Sequence, residues 1–323
     1  MEPLDAERRR EYARIAYYYY KSGLTQEEIA DRTQMSRQKV NRILRQCAEL
    51  GIVQIRIAGL EESHLEQEMR LEERYGLKSA QIAEVPENGS VTAAVGAAAA
   101  KYLVSILRDG DAVGFSRGHT VSSVADTLTR TGRKDVRAAQ LMGGWNNQKL
   151  GISADDIVYR AAQNMDAAPM MLYAPVVVNE RGLRDSIMKE PYFQEAYRAV
   201  CSCTIAVLGI GRIESLRSGG IPVMTEDEYR TYCAENAVGE VCSHFFDAAG
   251  KPVVTGFDER TIVIGLEDLL RIPLRIGVAG GVKVKLAAIR GALLGNYVNA
   301  LVTDDATARA LLEDGGTPAA RPE

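Results

Sequence analysis

The chain is poor in the residues that build metal centres and cross-links. Its 323 residues include three histidines, one tryptophan and five cysteines. The cysteines (Cys47, Cys201, Cys203, Cys233, Cys242) form no Cys-x-x-Cys pair. A disulfide scaffold and a zinc site are therefore not expected, nor is a cofactor; free thiols in a cytoplasmic protein are the simplest reading. No apolar run approaches the ~18 residues that a membrane span needs. The opening stretch MEPLDAERRREYARIAYYYY mixes charges with aromatic rings and has no apolar core segment, so a secretory leader is not expected. A strongly basic balance is also missing, since net charge is −4. What is present is ordinary globular composition, 46% hydrophobic and 25% charged, with length for a small and a large domain.

The charge is unevenly spread. Residues 1–60 carry a net +3 and the remainder −7. Three helices read out of this basic head. Residues 8–21 recur apolar at helical spacing through Tyr12, Ile15, Ala16 and Tyr19, and Gly23 stops them. Thr25, with Glu28 three residues on, forms a capping box for a short helix to about residue 32. After the turn Thr33-Gln34-Met35, Ser36 caps a third helix to about Leu50, buried along Val40, Ile43, Leu44 and Cys47. Ile52–Ile57 reads as a short strand. A short helix, a tight turn and a capped longer helix make a helix-turn-helix, whose last helix enters a major groove. Arg37, Gln38, Lys39, Asn41, Arg42 and Arg45 lie on its outer face. Arg and Lys suit guanine edges or phosphates, and Gln and Asn suit adenine. Thr25, Gln26 and Ser36 sit at helix starts, where hydroxyls and free N–H groups can hold phosphates. Only Glu49 brings an acid into 36–50, whereas a merely solvated face mixes both signs.

Residues 61–75 read as an acidic helix, connecting or dimerising, with the domain boundary near residue 60. Strands and helices then alternate. Strands are expected at 79–85, 111–115, 136–142, within 169–178, and at 204–208, 274–278 and 300–303. Helices are expected at about 90–108, 119–130, 153–165, 181–199, 225–235, 283–294 and 304–313. Val253–Ile264 suggests a pair of antiparallel strands. The pattern implies an α/β domain over 61–323 with a mostly parallel, Rossmann-like sheet covered on both faces, its ligand site at the strands' carboxyl ends.

Four strand-end loops qualify as ligand contacts. In Val113-Gly-Phe-Ser-Arg-Gly-His-Thr120, a strand turns through Gly118 into a helix, so the N–H groups near His119 and the Thr120 hydroxyl suit an anion. An ordinary strand-to-helix turn is the plainer alternative. Gln140 and Asn146, beside Trp145, suit hydroxyls. Leu208-Gly-Ile-Gly-Arg212 is a tight turn with Arg212 and Arg217 nearby. Ala279–Lys285 puts Lys283 or Lys285 at a helix start, where a cation opposes the helix dipole unless an anion sits beside it. Glu240 and Asp247 flank Val-Cys-Ser-His-Phe-Phe and suit sugar hydroxyls, acid/base chemistry or solvated strand ends.

These stretches together resemble the SorC family of sugar-binding transcriptional regulators. The matching segments are LTQEEIADRTQMSRQKVNRILRQCAELGIV at 24–53, VGFSRGHT at 113–120, LGIG at 208–211, AVGEVCSHFFDAAG at 237–250, and the run from Ile276 to Leu312. The resemblance implies an N-terminal helix-turn-helix, an effector domain similar to sugar-phosphate isomerases, tetramers, and phosphorylated-sugar effectors. It would place Gly118, His119 and Thr120 at the phosphate, Gln140 near the effector, Glu240 on its hydroxyls and Lys285 on the anion. Two departures stand out. His119 replaces a threonine common in relatives, and the Gly-Gly to Lys spacing is a residue longer, which makes Lys283 an alternative to Lys285.

The expected function is a ligand-responsive regulator that binds double-stranded operator DNA as a homo-oligomer, dimer or tetramer. Control of carbohydrate or polyol genes by a sugar, polyol or sugar-phosphate effector is expected, with repressor favoured over activator. Two alternatives are a sugar-phosphate isomerase-like enzyme carrying a DNA-binding head, and a structural nucleoid protein. No nucleophile–base–orienter set supports the enzyme, and the acidic large domain counts against the nucleoid protein.

Overall fold

The structure is a computed structural model that describes residues 5–54, 64–144, 153–216 and 224–313, without the side chains of 215, 216 and 282–284. Two compact units divide between Ser63 and His64.

The first unit holds α1 (Ala6–Tyr20), α2 (Gln26–Thr33) and α3 (Arg37–Glu49). Its core is Ile15, Ala16, Ile29, Ala30, Val40, Ile43, Leu44 and Cys47, the apolar positions of the three helical stripes. At ~1.5–3 kcal/mol for each large aliphatic side chain buried, this small core is what holds the helices together. Each helix start has a side-chain cap: Asp5 accepts from the Arg8 N–H, Thr25 from Glu28 and Ser36 from Lys39. The strand expected at 52–57 is absent over 52–54, where the chain bends and Val53 donates back to the Cys47 carbonyl. Residues 55–57 lie outside the described residues.

The second unit opens with α4 (Leu65–Tyr75) and runs through β1 (Ser79–Ala83), α5 (Val91–Ile106), β2 (Ala112–Phe115), α6 (His119–Thr127), β3 (Arg137–Gln140), α7 (Ala154–Met165), β4 (Ala168–Met170), α8 (Arg181–Lys189) and α9 (Pro191–Cys201). Then come β5 (Ile205–Arg212), α10 (Glu226–Ala234), β6 (Ala237–Val241), β7 (His244–Asp247), β8 (Pro252–Val253), α11 (Leu266–Arg271), β9 (Leu274–Val278), α12 (Val282–Leu294), β10 (Ala300–Asp304) and α13 (Asp305–Glu313). The sheet runs β1-β10-β9-β5-β2-β3-β4 with every pairing parallel. Successive residues face opposite layers. Ala300 and Val302 enter a core with α5, α6 and α7, while Leu301 enters one with α4, α9, α12 and α13.

The edges are protected. At one edge the outward N–H groups of Ala80 and Ile82 donate to Glu72 and Glu68 of α4, both at 2.8 Å. Leu71 and Tyr75 of α4 are buried, so this helix belongs to the large unit. At the other edge, three-residue β4 carries Pro169.

The antiparallel pairing expected over 253–264 is met there only by Val253 and two isolated bridges, and the main antiparallel strands lie earlier. β5 is long enough to leave the parallel sheet, and its last residues, Ile210–Arg212, pair with β6; β6, β7 and β8 form an antiparallel arm. The β6–β7 turn is Cys242-Ser243, with φ of 51° and 61°. Such turns usually advertise themselves with Asn or Gly, and neither is present. After Val253, which ends β8, residues up to 264 make only single antiparallel bridges, Thr261 to Val177 and Val263 to Met142, and side chains brace the turn between. Asp258 accepts from Thr255 N and from the Tyr232 hydroxyl, both at 2.7 Å, and Arg260 grips Glu228 bidentately.

Candidate functional site

In the first unit, α2 ends at Gln34 in the left-handed region (φ 54°), and Met35 donates to the Ala30 carbonyl. This turn delivers the chain to Ser36 and starts α3. Burial of Val40, Ile43, Leu44 and Cys47 turns Arg37, Gln38, Lys39, Arg42 and Arg45 outward, with Asn41 half-buried. Among the described residues none of these four cations has an ion-pair partner. Thr25 differs from expectation: its hydroxyl donates to Glu28 and accepts from the Glu28 N–H. The Thr25 N–H and hydroxyl hold the Glu28 carboxyl below its usual range. A carboxylate already occupies the start of α2, so Thr25 is a cap; Ser36 caps α3 through Lys39 N with no acid in its first turn.

In the second unit the chain leaves β2 towards β3 on one side, and β5 lies on the other. The carboxyl ends of β2 and β5 therefore flank a topological switch point, where such sheets bind ligands. Ser116 fastens the crevice: its N–H donates to Val207 O and its Oγ accepts from Gly209 N, both at 3.0 Å. Gly118 (φ 153°) starts α6 without a side-chain cap. The first N–H groups of α6 lack helical partners by geometry. Thr120, only 6% exposed, has no hydrogen-bond partner for its hydroxyl among the described residues. His119 is exposed.

The β6–β7 arm brings Glu240 to this crevice. Its Oε2 accepts from Ser243 N at 2.9 Å, and a Cβ on Gly211 would collide with Oε1. Burial raises the Glu240 carboxyl above its usual range, opposed by that N–H and by Arg117 and Lys285. Burial likewise lowers Arg117 and Lys285, with Glu240 opposing in both cases. Arg212 adds a like charge towards Lys285. Two cations, from the β2 loop and from α12, thus share one half-buried carboxylate, with Arg212 close by. At the arm's tip the Cys242 thiol faces Leu141 O, and His244 Nε2 lies 2.9 Å from Ile264 O. Burial keeps His244 below its usual value; facing a carbonyl, Nε2 carries the hydrogen.

The expected effector residues therefore do not all converge. Glu240 and Lys285 interact electrostatically with each other, and Arg117, next to Gly118, joins them. Gln140 is fully buried with both ends of its amide engaged: Nε2 donates to Asp155 at 2.7 Å and Oε1 accepts from Leu172 N at 3.0 Å. It ties the end of β3 to the start of α7 and to the segment after β4. Asp247 sits at the other end of the hairpin, paired with Ala237, and accepts from Ala249 N and Lys251 N at 2.9 Å. Its carboxylate closes a turn and is not a crevice group. Trp145, Asn146 and Arg217, and the Lys283 side chain, lie outside the described residues. The sequence reading passed over Arg117, although it lies in the quoted VGFSRGHT segment; a cation beside the glycine of an anion-type loop was the available signal. Ser243 and His244 had no signal, because only the unmarked hairpin places them.

A family model of a sugar-binding domain matches residues 61–313, and a winged helix-turn-helix DNA-binding model matches residues 15–54. The chain belongs to the SorC family of sugar-binding transcriptional regulators. It is 31% identical over 317 residues to the deoxyribonucleoside regulator of Bacillus subtilis, covering 96% of this chain and 100% of that one. It is 33% identical over 310 residues to transcriptional regulator LsrR of Klebsiella pneumoniae, covering 93% and 92%. The full-length sorbitol operon regulator SorC from Klebsiella pneumoniae has the same fold, with TM-score 0.73 and 29% identity over 95% of this chain and 100% of that one. A sugar-binding domain of a transcriptional repressor from Vibrio fischeri matches with TM-score 0.70 and 28% identity, over 77% of this chain and 98% of that one. The regulator thus combines a DNA-binding head with an α/β domain for a small-molecule effector, and these relatives are regulators rather than enzymes. No described helix is long and apolar enough to cross a membrane.

Proposed function

We propose that this cytoplasmic regulator represses carbohydrate or polyol catabolic genes and leaves its operator when a phosphorylated sugar or polyol fills the crevice. The observation that carries this reading is the uncapped start of α6, with the unpartnered Thr120 hydroxyl, beside Arg117 and Lys285. The N–H groups near His119, with Gly118 allowing close approach, and the Thr120 hydroxyl receive the phosphate, as anions bind helix starts. Arg117 and Lys285 neutralise it. Glu240 accepts from sugar hydroxyls, and Gln140 positions the start of α7 behind them. The Vibrio fischeri neighbour is described as a repressor, which supports the sign of control.

On the DNA side, residues 1–60 form the binding module. Gln26 and Ser36 touch phosphates, while Arg37, Gln38, Lys39, Asn41 and Arg42 face the major groove. A homo-oligomer, dimer or tetramer, presents recognition helices in pairs, so the operator is palindromic or repeated with half-sites ~10 base pairs apart. The effector acts by binding one arrangement of the protein more tightly than the other.

The test is a thermal-shift screen of the full chain against pentose, hexose and polyol phosphates and their free counterparts. Ligand at a hundred times its Kd adds about 2.7 kcal/mol of stability. Stabilisation by a phosphate ester and not by its free sugar is expected; stabilisation by free sugars alone would overturn the phosphate assignment.

A further inference from the structure

Gly281 (φ 91°), between β9 and α12, donates its N–H to Asp304 Oδ2 at 2.9 Å. The loop lies so close that a Cβ on Gly280 would stand 2.5 Å from the same oxygen and 2.7 Å from Val91 Cγ1. Asp304 is 4% exposed and ends β10. It also accepts from Thr307 N at 3.0 Å and from the Thr307 hydroxyl at 2.7 Å, which fixes the start of α13. One carboxylate therefore joins the loop that positions Lys285 to the first turn of α13. With contacts this tight, the loop cannot shift unless Asp304 or Val91 shifts too.

The next residue faces elsewhere. Asp305 Oδ1 lies 3.6 Å from His64 Nδ1, which is 3.0 Å from Gln67 Oε1, while Arg309 grips both Asp305 oxygens at 3.0 and 2.9 Å. His64 precedes α4 and is the first residue of the large unit, where the connection from the DNA-binding unit arrives. The far end of α4 is anchored by buried Leu71 and by Tyr75 and Arg74, which donate to Leu311 O and Leu312 O. The near end is held by polar contacts alone: Leu65 and Met69 are exposed, Glu68 accepts from Ile82 N at 2.8 Å, and an open groove of about 440 Å³ is lined by His64, Ala83–Val85, Val91 and Asp304–Ala306. The first turn of α4 therefore carries no core residue, and the Glu68–Ile82 N hydrogen bond ties it to the sheet edge.

We propose that the Asp304–Asp305 pair couples the effector crevice to the interdomain connection: Asp304 holds the Gly280–Gly281 loop, Asp305, fixed by Arg309, stands against His64, and movement of the loop reaches the first turn of α4. This rests on the crevice being the effector site. Asp304 and Asp305 act as positioning residues, and neither is assigned a ligand contact.

Hydrogen exchange of the full chain, with and without inorganic phosphate, tests the coupling. In the wild type, phosphate should slow exchange at 118–122 and 281–286 and change it at 68–70. In Asp305→Ala the loop protection should persist while 68–70 no longer responds. In ligand-free Asp304→Asn, exchange should rise about tenfold at both 281–286 and 68–70, within the usual range of coupling between sites. A rise confined to 281–286, or an undiminished phosphate response at 68–70 in Asp305→Ala, would overturn the coupling. If phosphate protects neither loop, the crevice is not the anion site, and the ligand-free comparison still decides whether the Gly280–Gly281 loop and the first turn of α4 are linked.

Discussion

Thr120→Val isolates the anion-binding role of the α6 start. The substitution keeps the shape of the side chain and removes one hydroxyl. Because that hydroxyl has no partner among the described residues, the ligand-free protein should lose no hydrogen bond, and its stability should stay within about 0.5 kcal/mol of wild type. The effect should fall on the ligand. A hydrogen bond to a charged group contributes about 1.5–3 kcal/mol, which corresponds to a roughly 10- to 150-fold rise in Kd. Take a phosphate ester at a hundred times the wild-type Kd. The wild type gains about 2.7 kcal/mol, and a variant binding about 30-fold more weakly gains about 0.9 kcal/mol. At ~2–4 °C per kcal/mol for a domain of this size, the melting shift falls from about 5–10 °C to about 2–3 °C. Calorimetric titration of both proteins gives the Kd ratio directly. An undiminished shift for an ester that stabilises the wild type would refute the placement of the phosphate on this loop.

Other outcomes follow from the same geometry. Arg42→Ala should cost about 1–3 kcal/mol in operator binding and relax specificity at one base pair; uniform weakening across sequences, measured by anisotropy, would assign Arg42 to the backbone instead. Arg275 is 4% exposed and donates to the carbonyls of Leu270, Ile272, Asn296 and Tyr297. Arg275→Met should destabilise by about 3–5 kcal/mol in chemical denaturation and leave effector affinity intact, because β9 begins at the opposite end of the sheet from the crevice. Burial raises Glu240 above the 4.5 of an unperturbed Glu, so the folded state keeps this proton to higher pH than the unfolded chain. Stability from this group therefore falls as pH rises from 4.5 through the folded value, and Glu240→Gln should remove that part of the fall in a melting series. Burial lifts the Cys201 thiol to about 11 and Cys203 to about 12, so iodoacetamide at pH 8 should modify exposed Cys233 first.

The helix-turn-helix was legible because its signals are local. Thr25 with Glu28, and Ser36 ahead of an apolar stripe, each act within one helical turn, so the caps, the short turn and the outward face of α3 can be read without tertiary contacts. The parallel sheet was legible for a similar reason: buried strands are continuous apolar runs, and 274–278 was read with its true bounds. The Gly118–Thr120 loop showed as a glycine between a strand and a helix.

Other features depend on partners distant in sequence. The Cys242-Ser243 turn takes two positive φ values without Gly or Asn, so the arm that carries Glu240 had no local mark. Asp247 and Glu240 look alike in sequence, and only strand register sends one to a turn and the other to the crevice. Gln140 is polar at a strand end, which suits a ligand contact, until the packing of Asp155 and Leu172 uses up its amide. The sequence by itself determined the class of element, the caps and the basic reading face, because those follow from propensity and spacing within a few residues. The tertiary structure alone decided which charges meet, since bringing Arg117, Glu240 and Lys285 together takes three segments more than forty residues apart and the buried setting that couples their protons.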